Sequence, residues 1–375
     1  MNSNKQPLHA TSLKKSGPLL GLRVIEFAGI GPGPFACMLL SDMGAEVVRI
    51  DRPDASLGNP LDIVGRSRKT ILLDLKRPEA IEQVLDLLSH ADALVEGFRP
   101  GVMERLGLGP SAVFARNMGL VYGRMTGWGQ EGPLSQAAGH DINYIGLSGA
   151  LAAIGKRDEP PSPPLNLVGD YGGGSLYLVM GILAALLEAR TSGQGQVVDA
   201  AICDGVLSLM TNNHAHTLRG LYQEQRSSNM LDGGAPYYRA YATADGHFIS
   251  LGPIEPKFFG LMCQKLDLPE ELWDAQNDRT RWPLLLDAIT SAIVRHTRDQ
   301  WCQLLEGTDV CFAPVLTLRE SATHPHIKAR RGFVNVEGVM HTAPAPRFSR
   351  TQSAITGAAP SKSTTVAQVL ADWGN

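Results

Sequence analysis

Residues 22–53 read LRVIEFAGIGPGPFACMLLSDMGAEVVRIDRP. Leu22–Phe27 is a β-branched apolar run with the pattern of a buried strand. The next seven residues, Ala28-Gly29-Ile30-Gly31-Pro32-Gly33-Pro34, are too rich in glycine and proline to extend it and read as a sharp turn. Pro34–Gly44 then reads as a helix, and Glu46–Asp51 as a second strand. Working outward, Thr70–Asp74 reads as a strand, Pro78–His90 as a helix, and Ala93–Glu96 and Leu120–Met125 as further strands. Short apolar strands alternating with helices of about a dozen residues specify an α/β fold with a parallel sheet covered on both faces. Ser175–Arg190 reads as a long buried helix, Gln196–Ala200 as a short strand and Asp204–Leu218 as one further helix.

The texture changes after Arg219. Leu231–Gly252 reads as a hairpin that turns at Asp245-Gly246, followed by helical stretches at Glu255–Leu266, Trp282–Arg295 and Arg298–Glu306. The organisation expected is a disordered tail over 1–20, a large domain over 21–229, a smaller α+β domain over 230–325, and a segment over 326–375 that returns to the large domain through a helix at Thr364–Trp373.

The chain has 375 residues, 43% hydrophobic and 19% charged, with a formal net charge of −3. This composition excludes a mostly disordered chain and gives no global affinity for nucleic acid or an anionic membrane. The five cysteines are odd in number, scattered and without a C-x-x-C pair. A disulfide framework or thiolate zinc site is therefore not expected, and a reducing compartment suits the chain. The first 17 residues lack the apolar core of a secretory signal, and the apolar stretch Leu176–Leu187 falls short of a bilayer span. A soluble cytoplasmic protein without membrane or nucleic-acid partners is the expectation.

The glycine turn invites comparison with a dinucleotide fingerprint, but the third glycine of G-x-G-x-x-G would fall on Pro34, and Asp51 is followed at once by Arg52-Pro53. The turn reads instead as one that holds some other ligand near a helix N-terminus. Arg52, Arg66, Arg68, Lys69, Lys76, Arg77 and Arg99 all fall near strand ends or in loops. Ligands of open α/β sheets bind at the carboxyl ends of strands, so as a set these residues suit a phosphate-bearing ligand; singly, each reads equally well as solvated surface.

Two segments carry candidate chemistry. Gly139-His140-Asp141-Ile142-Asn143-Tyr144 offers a histidine beside an acid, and Asn166-Leu167-Val168-Gly169-Asp170-Tyr171-Gly172-Gly173-Gly174 places an acid before three glycines at a helix start. By pattern alone, His140 also reads as a core histidine and Asp170 as a plain helix cap. His214/His216 and His324/His326 are too closely spaced for a zinc-binding helix pair, so no metal is expected.

These segments, with VIEFAGIGPGPFACMLLSDMGAEVVRIDRP, LDLKRP, NMLDGGAPYY and IEPKFF, resemble the α-methylacyl-CoA racemases of the family III CoA-transferase superfamily. The resemblance runs from about residue 21 to about 260 and weakens beyond. It implies a Rossmann-like large domain and a smaller domain in an interlocked homodimer, with the active site between the large domain of one chain and the small domain of the other. It further implies acid/base roles for His140 and Asp170 and a partner for the histidine in Glu255. Implied acyl-CoA contacts fall on Arg52, on Leu73, Asp74, Leu75 and Lys76, on Arg99, and on Gly139, His140, Asp141, Ile142, Asn143 and Tyr144. Gly169 and Tyr171 depart from the family pattern of Ala and Phe.

The implied reaction inverts the α-carbon of a 2-methylacyl-CoA, a step of fatty acid and lipid metabolism, and requires no cofactor beyond the CoA of the substrate. One group removes the α-proton on one face and another returns a proton on the opposite face, which suits a His–carboxylate pair. The backbone N–H of Asp141 is a candidate donor to the enolate oxygen. The competing activity on the same fold is CoA transfer, with Asp170 attacking the thioester to form an acyl-enzyme anhydride.

Overall fold

The computed structural model describes residues 15–374. The backbone forms two compact units, one of residues up to 148, 165–209 and 331 onward, the other of 149–164 and 210–330. The sequence reading set the boundary at 229/230; the units divide at 209/210 and 330/331.

The first unit is built on β1 (Arg23–Phe27), β2 (Glu46–Asp51), β3 (Lys69–Leu72), β4 (Ala93–Glu96), β5 (Val121–Thr126) and β6 (Val197–Ala201). They form one sheet in the order β3-β2-β1-β4-β5-β6, and every pairing is parallel. This is the Rossmann-like order, which reverses direction between β1 and β4. Residues along β1, β4 and β5 are buried almost without alternation, so side chains on both faces of the sheet are covered. Ile25, Val48, Ile71, Leu94, Leu87, Leu88 and Tyr122 form the core of one cluster.

Helices α1 (Pro32–Asp42), α2 (Pro78–Ser89) and α4 (Pro110–Arg116) each begin on proline, where the missing N–H costs nothing because first-turn donors have no helical partner. Between the last two lies the single turn α3 (Val102–Arg105). α5 (Asp141–Leu147) and α6 (Leu176–Ser192) follow, with α7 at Ile202–Leu209. The single helix expected over 204–218 is broken at Met210 (φ −82°, ψ 3°), and a second helix, Thr211–Leu218, belongs to the other unit.

Joined to the helical turn before it, α6 becomes a path of 26 residues, Leu167–Ser192, whose most apolar 18-residue window has mean hydropathy 1.5. By length and composition this path is long enough to cross a bilayer, unlike the shorter stretch read from sequence. It packs on β5 and β6, which accounts for its buried apolar side. Leu176, Met180 and Leu187 on its outer side are more than half exposed.

Residues 16–20, expected within a disordered tail, are tied down: the Leu19 N–H donates to Met43 O at 2.9 Å and Ser16 Oγ to Gln352 O at 2.8 Å. The rest of that tail, residues 1–14, lies outside the described residues. The C-terminal segment joins the sheet edge through a parallel bridge between Thr364 and Ile71. Trp373, the C-terminal cap of the helix Val366–Asp372, joins the core.

Three residues of the expected basic cluster are consumed inside this unit. Arg66 donates to both Asp42 carboxylate oxygens, at 3.0 and 2.5 Å, with both side chains 1% exposed. Arg68 pairs with the buried Glu26 of β1 at 2.9 Å and donates to the Pro34 carbonyl. Lys69 bridges Glu46 and Asp372 at 2.9 and 2.6 Å. A guanidinium held so deeply by carboxylates is structural, and is not offered to a ligand.

The second unit carries an antiparallel sheet β7-β8-β9 (Arg239–Ala242, Phe248–Leu251, Phe312–Val315), with the expected turn at Asp245-Gly246, where Gly246 has φ +74°. Helices Pro256–Lys265, Trp282–Ile293 and Arg298–Leu305 pack on it around Phe259, Leu285, Ile289 and Trp301. Residues 149–164 belong here because the Arg226 guanidinium donates to the carbonyls of Lys156 and Glu159, at 3.0 and 2.7 Å.

Removing one member of a buried ion pair strands the other charge. Asp42→Ala is expected to cost about 3–5 kcal/mol, read as a lower urea midpoint at unchanged slope. A loss below about 1 kcal/mol would show that Arg66 is satisfied without Asp42.

Candidate active site

The carboxyl ends of β1 to β5 all point to one edge of the sheet, and the residues expected to bind ligand follow them directly. The glycine turn follows β1, Arg52 follows β2, residues 73–76 follow β3, Arg99 follows β4 and Gly127-Trp128 follows β5. Arg52 is 79% exposed, held only loosely to Asp54 at 3.8 Å. Lys76 and Arg99 are exposed as well. Leu73 and Leu75 pack against the core, while the Lys76 N–H donates to Asp74 Oδ1 at 3.1 Å. Of the basic cluster, Arg52, Lys76, Arg77 and Arg99 therefore remain available at this edge. A small polar cavity of about 70 Å³ lies beside Arg49, Asp51, Arg68 and Thr70 and is not lined by His140 or Asp170.

Asp170 is delivered by a π-helical segment, Leu167–Ser175, which sequence reading did not anticipate. Its wider turn shows in the bond from the Tyr171 N–H to Asn166 O, five residues back, at 3.2 Å; such turns are frequent at functional sites. The glycines make it possible. A Cβ on Gly173 would stand 2.9 Å from the Val206 nitrogen, and one on Gly205 of α7 only 1.9 Å from the Gly173 carbonyl oxygen. Ser175 Oγ secures the segment to α1, 2.7 Å from Pro32 O. Asp170 is thus no helix cap: it lies within the helical path, its carboxyl 3.5 Å from Asn166 Nδ2. That carboxyl also lies over the glycine turn, where a Cβ on Gly31 (φ +68°) would come within 3.2 Å of Asp170 Oδ2.

His140 is not a core histidine either. It caps α5 in extended conformation (φ −133°, ψ 173°) with an exposed side chain, and its N–H donates to Asn143 Oδ1 at 3.0 Å. Asp141 is buried, and its Oδ2 accepts the Asp170 N–H at 2.7 Å. Tyr144 donates its hydroxyl to the Gly139 carbonyl and meets the Trp128 ring edge-on at 4.7 Å. Gly127 must lack a side chain, since a Cβ there would sit 2.0 Å from the Tyr144 ring. Ile142 and Asn143 are exposed. Tyr171 stacks on Phe35 of α1 at 4.2 Å.

The electrostatics follow the geometry. Burial raises the Asp170 carboxyl above the ordinary aspartate range, and the neighbouring Asp141 charge raises it further; Asn166 and His140 oppose both. Burial, and then the Asp170 charge, likewise raise the Tyr144 phenol. The first unit thus brings His140, Asp141 and Asp170 to one place. Glu255 belongs to the second unit, exposed at the cap of the helix Pro256–Lys265.

Sequence reading missed Glu96, the last residue of β4. It is 3% exposed, accepts the Phe98 N–H at 2.7 Å and lies 3.5 Å from Arg124 Nε. Arg124 also binds Glu104 and, at 2.8 Å, Gln130 Oε1. It thereby ties the loop bearing Arg99 to the one leading toward His140. The available signal was a lone carboxylate ending an otherwise apolar strand.

The chain belongs to CoA-transferase family III, whose sequence model matches residues 19–364; it is an enzyme of that family on a six-stranded parallel α/β scaffold. It is 42% identical over 334 residues to the α-methylacyl-CoA racemase of Mus musculus, covering 89% of this chain and 87% of that one. It is 41% identical to the racemase of the same name from Homo sapiens, covering 85% and 83%. A CAIB/BAIF family protein from Brucella suis superposes with TM-score 0.80 at 25% identity, over 95% of this chain and 99% of that one.

Burial raises Glu96 from an ordinary 4.5 to about 7. The folded state then holds that proton more tightly than the unfolded chain. Its stabilising contribution is complete below about pH 4.5 and lost as pH rises through about 7. Glu96→Gln should flatten stability across this window, measured by denaturation at a series of pH values. An unchanged pH profile would place the Glu96 carboxyl in the ordinary range.

Proposed function

We propose that the protein is an α-methylacyl-CoA racemase that inverts the α-carbon of a 2-methylacyl-CoA by two-base proton transfer through an enolate. What supports this reading most is the placement of His140 beside the Asp170 turn in a chain 42% identical to proteins of that name. Family membership alone also admits CoA transfer, in which Asp170 would act as a nucleophile.

In this reading one of His140 and Asp170 takes the α-proton while the other donates a proton to the opposite face, and the roles exchange for the other enantiomer. The bond broken is C–H; its electron pair moves into the enolate and returns when the new C–H bond forms, so no redox cofactor enters. An α-carbon acid next to a thioester is far weaker than imidazolium, and each pKa unit of mismatch costs about 1.36 kcal/mol. Stabilising the enolate oxygen is therefore the main demand on the site, and the Asp141 N–H is the donor assigned to it. The raised Asp170 carboxyl suits a base for so weak an acid.

The CoA moiety is assigned to Arg52, to Leu73 through Lys76, to Arg99 and to residues 139–144. Exposed cations at the carboxyl ends of parallel strands support this placement. We assign a homodimer, supported by the exposed apolar row Leu176, Met180 and Leu187 on α6, with Glu255 orienting His140 across the assembly. A cytoplasmic location is part of the same reading.

One incubation separates the two chemistries. A single enantiomer of a 2-methylacyl-CoA in D₂O, without acceptor acid, should gain deuterium at C2 and epimerise. His140→Ala and Asp170→Ala should each lower turnover roughly 10²–10⁴-fold. No exchange, with CoA moving to an added carboxylic acid, would make the enzyme a transferase.

Glu255→Gln should lower turnover in both directions while leaving the fold intact. Unchanged kinetics would remove Glu255 from the mechanism.

A further inference from the structure

The reaction proposed above uses the backbone N–H of Asp141 and leaves its carboxylate without a task. Yet the residue is buried, at 8% exposure. Its Oδ2 accepts the Asp170 N–H at 2.7 Å. The contact has its own steric requirement: a Cβ on Gly169 would stand 2.3 Å from the same oxygen and 3.0 Å from Ile145 Cγ2. A side chain at 169 would press directly on the Asp141 carboxylate, so glycine there leaves the contact undisturbed. The Asp141 charge also acts on the Asp170 carboxyl and raises it, because like charges disfavour joint ionisation.

We propose that the Asp141 side chain is a positioning residue for Asp170: it holds the Asp170 N–H and stands as a fixed negative charge beside the Asp170 carboxyl, setting both the place and the proton affinity of that group. The catalytic meaning of this proposal rests on the racemase reading; the proton affinity itself does not. The Asp170 carboxyl is faced by His140, Asp141 and Tyr144 from α5 and its cap, by Asn166 from its own turn, and by the Gly31 backbone from the β1–α1 turn. Among the charged neighbours Asp141 raises Asp170 and His140 lowers it, with Asp141 the larger. One residue thus feeds both ends of the chemistry. Its N–H is offered to the enolate oxygen, while its carboxylate adjusts the base that generates the enolate.

Asp141→Asn separates the tether from the charge, because the amide oxygen can still accept the Asp170 N–H. The measurement is the ¹³Cγ titration of Asp170 in aspartate-labelled enzyme, assigned with Asp170→Asn. The wild-type midpoint should lie above the ordinary aspartate value and fall by roughly one pH unit in Asp141→Asn. The acid limb of the C2 deuterium-exchange profile should move by the same amount. A purely structural tether would leave both midpoints in place, and that result overturns the proposal. If the variant does not fold, the wild-type titration decides: an Asp170 midpoint at the ordinary aspartate value also overturns it. Should the wild type show no deuterium exchange, the racemase reading falls while the ¹³C titration still decides the role of Asp141.

Discussion

The carbonyl of Gly173 and the backbone of Gly205 cross with no room for a methyl group between them, and the site is organised around that crossing. α7 packs this closely on the chain ahead of α6, which takes the wider π-helical course rather than an α-helical one. This course lifts Asp170 out of a capping position and sets its carboxyl over Gly31. It also turns the Asp170 N–H toward Asp141. A side chain at 173 or 205 would force the two elements apart and undo all of these relations at once. The run of glycines is therefore a packing requirement first, and its consequence for the chemistry is indirect.

The sheet supplies the second constraint. Its strand order reverses between β1 and β4, so the loops after these strands diverge and leave a crevice at their carboxyl ends. The walls are held by charges buried inside the unit. Arg66 and Arg68 are fully engaged by Asp42 and Glu26, and Arg124 joins the loops that follow β4 and β5. Cations left at the rim, such as Arg52 at 79% exposure, retain the mobility and hydration that a large anionic ligand can displace. Two arginines only two positions apart, Arg66 and Arg68, carry the same charge as Arg52 and have a different task, and burial alone separates them.

Much of this was legible in the sequence. Strand positions from β1 to β6 follow from β-branched runs bounded by glycine and proline, because a sheet buried on both faces leaves a continuous apolar signal. The hairpin at Asp245-Gly246 was legible for the same local reason: its turn chemistry lies within two residues. What stayed hidden depended on contacts distant in sequence. The π-helical course at Leu167–Ser175 packs against α7, some thirty residues later, and the tasks of Arg66 and Arg68 depend on Asp42 and Glu26, more than twenty residues earlier. Glu96 is in the same position, since its burial is set by Arg124 on the neighbouring strand. At His140 pattern alone favoured a core histidine, and at Asp170 it left a plain helix cap as open as a functional acid. Exposure of the one, and the helical path around the other, removed those alternatives.

The same aspartate can serve two chemistries, and the demands they place on it are opposed. A nucleophile that attacks a thioester has to be ionised and must leave again as the carboxylate of an anhydride, which favours a low proton affinity. A base that takes a proton from a weak carbon acid gains as its proton affinity rises toward the working pH. Burial of Asp170 and the charge of Asp141 both act in the second direction, while Asn166 and His140 only moderate them. Beside a base, a neighbouring carboxylate helps the carboxyl keep the proton once taken. The Asp141–Asp170 contact acts on the carboxyl in the direction that the proposed proton transfer uses.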